Sequence, residues 1–174
     1  MTVYFPDGVS SLGKEVWMWT AAVAVKAAMT LAETAVAGNV LIQMALRPGF
    51  GPDADTNRIS DPRLGAFIQY EAFGITTNTL SDATFIDRPQ DAAGGAMNKH
   101  IETLADGAVG YLINRRGLGS APENWQAWAV GQKYRLYPVA LGPQVPLATT
   151  DEGGQFEYKQ AIIITGPVVK GTLV

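Results

Sequence analysis

The 174 residues include no cysteine. That removes disulfides, thiolate metal sites and cysteine nucleophiles together, and it fits a reducing compartment. Histidine is almost as scarce. His100 stands alone, so a metal site built on two imidazoles is out, and no Gly-x-Ser-x-Gly elbow occurs. Positive charge is in short supply too: 13 Lys and Arg face 16 Asp and Glu, for a formal net charge of -3. Such a balance sets up no global basic field to gather phosphates, which disfavours sequence-specific DNA binding. Long apolar runs are also missing. Ala21 to Leu46 comes nearest, but Lys26, Glu33, Gly38, Asn39 and Gln43 interrupt it, and a membrane-spanning helix needs about 18 or more apolar residues in a row. The start, MTVYFPDG, lacks the basic and apolar regions of a secretory signal. No membrane insertion and no export by that route are expected.

What is present reads as one domain over residues 1–174, since the length is enough for one core and short for two. The stretch Met97 to Leu141 carries the clearest signals. Met97, Ile101, Leu104 and Ala108 share one face of a predicted helix whose other face holds Lys99, His100, Glu102 and Asp106. Gly107 supplies a left-handed stop. Val109, Tyr111 and Ile113 then alternate as a strand does, as do Tyr134 and Leu136 against Lys133 and Arg135. A helix followed by strands of period two, without a strand-helix-strand rhythm, predicts an antiparallel sheet with a flanking helix.

Elsewhere, Lys14 to Thr20 alternates Val16 and Met18 against Trp17 and Trp19, a strand with two packing partners. Residues 21–38 lack a helical stripe, and Met29 to Glu33 reads as a turn or short helix. Asn39 to Leu46 reads as a buried strand. Residues 47–62, crowded with Gly, Pro and Asp, read as a long projecting loop and the first candidate contact element. Strands are predicted within Arg63 to Thr77, Leu80 to Arg88 and Gln155 to Thr165, with a Gly-containing tail at 165–174 and a glycine-rich arm at 1–13.

Motifs of chemistry fail on inspection. Gly8 to Lys14 has the glycine and lysine spacing of a phosphate loop, but Glu15 stands where Ser or Thr must reach magnesium, and a strand follows where a helix is needed. Asp53, Asp55, Asn57 and Asp61 alternate like half an EF-hand, yet Arg58 and Leu64 occupy the positions that need Gly and Glu. His100, on the polar helix face, reads as a surface residue. Arg115 and Arg116 read as strand-end arginines that pair with a neighbouring acid or project into solvent, and the Trp residues as core or interface. No catalytic group, cofactor or metal is expected.

The order of features resembles the major tail tube proteins of long-tailed bacteriophages (siphophages), most closely those infecting actinobacteria. The segments that carry it are KEVWMWT, MTLAE with VLIQMAL, DPRL-x-AFIQYEAFG, RPQ, GYLINRRG, WAVGQKYRLYPVALG and FEYKQAIIITG. The resemblance implies a mainly β fold with one flanking helix (α+β), in which two packed antiparallel sheets form a β-sandwich or partial barrel. It implies hexameric rings stacked into a tube whose lumen conducts DNA, with no enzymatic activity. The implied partners are further copies of the chain and the tape measure, terminator and distal tail proteins, in a virion tail made in the host cytoplasm. Contacts between subunits and rings would fall on the long loop and the termini: Phe5, Arg47, Phe50, Asp53, Asp55, Arg58, Asp61, Arg63, Val168 and Lys170. The alternative is a small β-sandwich binding a ligand or glycan, with Trp125 and Trp128 as stacking platforms.

Overall fold

Strand β1 (Glu15–Thr20) is buried from Val16 onward on both of its faces. Its tryptophans, Trp17 and Trp19, enter a core cluster with Leu112, Tyr137, Val139 and Leu141, while Met18 joins a second cluster with Met29, Ile113 and Leu136 on the other side. The two predicted packing partners of this strand are these two clusters. The computed structural model describes residues 14–43, 45–61, 70–90, 98–118, 127–149 and 154–174.

Around β1 the chain builds a seven-stranded antiparallel sheet from β2 (Val40–Leu41), β5 (Ala83–Ile86), β6 (Val109–Arg116), β7 (Lys133–Pro146), β8 (Glu157–Ile164) and β9 (Val169–Thr172), in the order β2-β1-β6-β7-β8-β5 with β9 on β7. The sheet curls into a half-barrel, and the fold is mostly β, as expected. The 14-residue β7 makes the curl feasible by changing partners along its length. Its first part pairs β6 and β9, and its second part pairs β8 with a register break between Leu141 and Gln144. Pro138 sits at the changeover, where its missing N–H costs no ladder bond, and its carbonyl accepts from the Thr165 N–H at 2.9 Å.

Among the described residues two short helices flank the sheet. Helix α1 (Leu31–Thr34) is one turn closed by a capping box between Thr30 and Glu33, in agreement with the turn predicted there. Helix α2 (Lys99–Thr103) is shorter than the predicted one, and Met97 lies outside the described residues. Leu104 caps it and is fully buried. The carbonyls at its C-terminal end would be costly to bury unpaired. Gln144 Nε2 donates to the Ile101 and Leu104 carbonyls at 2.9 Å, and Gln160 Nε2 donates to Leu104 at 2.9 Å. Gly107 has φ 74°, the left-handed stop expected of it.

Three expectations are corrected. The buried strand expected over 39–46 is only Val40–Leu41, after which the chain turns and Leu46 makes an isolated bridge to Phe85. His100 is 6% exposed, not a surface residue. Its ring lies over Phe85 and Tyr158, which come from distant strands, and Nε2 meets the Ile86 carbonyl at 3.0 Å. The segment expected as a tail forms β9 on β7, and Leu173 is buried.

Candidate functional site

The largest departure lies at 47–62. Pro52–Asp61 is strand β3, paired antiparallel with β4 (Tyr70–Leu80) in a separate two-stranded sheet. Its composition favours a loop, but the pairing supplies what composition lacks. Thr56 and Thr76 are directly opposite and their hydroxyls meet at 3.0 Å, and Arg58 pairs with Glu71 at 3.3 Å. Such cross-strand pairs are the unit of sheet stability. At the base, Ser81 ties the ribbon to the body by accepting from the Gly51 N–H at 2.9 Å and donating to the Gly49 carbonyl at 3.1 Å.

Apart from Leu80 at that base, no side chain described in the ribbon is buried. Phe73 is 85% exposed, Ile75 79% and Ile59 53%. Register places these side chains on both faces: Phe73 opposite Arg58 on one, and Ile59 opposite Ala72 on the other. The register shift after Thr56 inserts an extra residue in β4, with Gly74 and Ile75 facing Asn57. A side chain at Gly74 would come within 3.1 Å of Ile59 and the Asn57 carbonyl, so the glycine lets the strands stay close at the bulge. A two-stranded ribbon is marginal in water by itself, and exposed apolar residues on both faces mark a surface that is covered in use.

The residues expected to make contacts divide accordingly. Asp53, Asp55 and Arg58 lie exposed on β3, whereas Asp61 ends the strand. Arg47 is bound into its own subunit by Glu157 and Gln155. Phe50 packs edge-on against Trp17 at 4.8 Å, and Val168 is half-buried against the same core. Those three belong to the fold first. Lys170 is exposed on β9. Phe5 and Arg63 lie outside the described residues. Sequence reasoning missed Phe73, Ile75 and Ile59 as exposed apolar residues. The signal for them was available: bulky apolar side chains in a segment rich in Thr, Asn and Asp with no partner stripe.

Other chemistry is structural. No cluster of His, Asp and Glu suited to a metal occurs among the described residues; Asp53, Asp55 and Asn57 run along an extended strand, where carboxylates two residues apart do not converge on one ion. Arg115 is 1% exposed, with Nη1 donating to the Gln132 Oε1 at 2.7 Å and the Ala127 carbonyl at 3.1 Å, while its guanidinium lies 4.7 Å from the Trp128 ring. Burial lowers its pKa from the usual arginine value. Trp128 is thereby a packing partner and no open platform, and Trp125 lies outside the described residues. Arg116 pairs with Glu15 at 2.9 Å, as a strand-end arginine was expected to do. No helix among the described residues is long and apolar enough to cross a membrane.

The family model described as phage tail tube protein matches residues 4–174. No curated protein matches the chain.

Proposed function

Because the chain belongs to the phage tail tube protein family, a structural family of the virion tail that is not known to be enzymatic, we propose that it is the repeating subunit of a tail tube. Copies join as hexameric rings, the rings stack, and the lumen conducts DNA during infection of a long-tailed phage's host. The tape measure runs inside, and the terminator and distal tail proteins close the two ends. The chain is made in the host cytoplasm.

The observation that carries this reading is the β3–β4 ribbon, with Phe73, Ile59 and Ile75 exposed on its two faces. A ribbon about 30 Å long, at roughly 3.3 Å per residue, is long enough to span onto a neighbouring copy. Its apolar residues would find cover against another copy. Negative-stain micrographs of the purified protein at high concentration test the proposal. Six-fold rings or tubes are expected, and a persistent monomer under all conditions, with or without tail-tip components, counts against it.

A further inference from the structure

Where β6, β7 and β9 lie side by side, the main sheet carries a polar, basic surface. Asn114 and Arg116 on β6, Lys133 and Arg135 on β7, and Lys170 and Thr172 on β9 line one groove of about 390 Å³. The registers put Arg135 directly opposite both Asn114 and Lys170, and Lys133 opposite Thr172. Glu15 neutralises Arg116 at 2.9 Å and accepts from Asn114 Nδ2 at 2.9 Å. No acid among the described residues forms an ion pair with Lys133, Arg135 or Lys170. Like charges directly opposite on paired strands destabilise a sheet, so this ledge carries a cost that a carboxylate arriving from outside would remove.

Each copy also carries the complement. Asp53 and Asp55 project from one face of β3, opposite Thr79 and Thr77, and both are exposed. Neither has a cationic partner among the described residues. The two aspartates are spaced two residues along a strand, about 6.7 Å, and so are Lys133 and Arg135. Two extended strands can therefore face each other charge for charge.

We infer that the Lys133/Arg135/Lys170 ledge of one copy receives the Asp53/Asp55 face of a neighbouring copy's ribbon. This rests on the tail tube reading and gives one of its contacts a polarity: acidic ribbon into basic ledge, repeated from copy to copy. The occupant is a second copy and no free polyanion. Three cations on a chain of net charge -3 give little hold on nucleic acid phosphates at physiological salt, whereas the ribbon adds apolar contact to charge. Charge arranged in this way sets register and encounter rate more than affinity.

The test uses the full chain in two charge-reversed forms, K133E/R135E and D53K/D55K. With the wild type forming tubes, each form alone should need about tenfold more protein to assemble, while melting temperatures stay close to wild type. An equimolar mixture should assemble near the wild-type concentration, because each form then offers the other a matching half. A single chain carrying all four reversals should do so too. If both forms assemble like wild type, the ledge inference fails and the tail tube reading stands. If both are impaired but neither the mixture nor the four-fold variant recovers, the pairing is wrong. Salt-sensitive duplex DNA binding by the wild type that K133E/R135E abolishes, with assembly intact, would assign the ledge to nucleic acid. A wild type that never assembles overturns both readings together.

Discussion

At the scale of single residues, the fold depends on a few close approaches that leave no room for change. Tyr134 is buried with its hydroxyl donating to the Lys26 carbonyl at 2.9 Å and accepting from the Met29 N–H at 2.8 Å. A methyl group at Gly171, its partner on β9, would lie 2.3 Å from the Tyr134 ring. Two hydrogen bonds hold the ring, so it cannot swing aside. Gly171→Ala should therefore cost at least the 1–3 kcal/mol (about) of an overpacked core, read as a lower urea midpoint at unchanged slope. His100 makes a second residue-scale prediction. Burial lowers its pKa from the ordinary imidazole value, against the opposing pull of the Ile86 carbonyl and the Asp87 charge. The unfolded chain then takes up a proton that the folded chain resists, so this site's contribution to stability is complete above about pH 6.5 and is lost as the pH falls from there through the depressed folded value. His100→Gln should flatten the fall in urea midpoint between about pH 7.5 and about pH 5.5. An unchanged slope would place the titrating group elsewhere.

At the scale of elements, the question is which strands can stand without the assembly. The β3–β4 ribbon pairs only with itself as a sheet and leaves Phe73 and Ile75 in solvent, so its hydrogen bonds should open with little free energy. In a monomer its amides should exchange with solvent far faster than those of β6 and β7, and in tubes they should be protected. Phe73→Glu should leave the monomer's melting temperature within about 2 °C of wild type, since a surface change is worth about 0.5 kcal/mol, and should weaken assembly. Strong protection of the ribbon in the monomer would show that it is covered by its own subunit. The same element marks where sequence reasoning stopped. β7 and β8 were legible because a half-buried strand writes its alternation into the sequence: Tyr134, Leu136, Tyr158 and Ile162 all lie in the core, whereas β1 and Leu112 to Arg115 of β6 are buried on both faces, and Val109, expected on the inward side of β6, is exposed. β3 has no buried face, so no apolar period exists to be read, and Pro52, Asp53, Asp55 and Asn57 give loop composition to a strand. His100 was misplaced for a related reason. Its helix is a single short turn, and the rings that bury it, Phe85 and Tyr158, arrive from β5 and β8.

For the whole molecule, the distribution of charge must be compatible with a conduit. A phosphate neutralised by a bound lysine or arginine releases counterions and gains salt-dependent affinity. In a symmetric ring a lumen cation recurs once per subunit, so even a weak site becomes a belt around the passing DNA. Lys133, Arg135 and Lys170, which form no ion pair among the described residues, line a single groove. Other basic side chains are already engaged: Arg47 by Glu157, Arg58 by Glu71, Arg116 by Glu15 and Lys159 by Asp82. If the ledge is filled by a neighbour's aspartates, assembly takes this cluster of cations out of reach of the lumen, and the tube becomes less adhesive to DNA than its subunits. Co-sedimentation with short duplex DNA at about 150 mM salt, where the screening length is about 8 Å, should accordingly recover DNA-free tubes. Tubes that retain duplex and release it on raising the salt would put Lys133 and Arg135 on the inner wall and make the chain a nucleic-acid-binding scaffold.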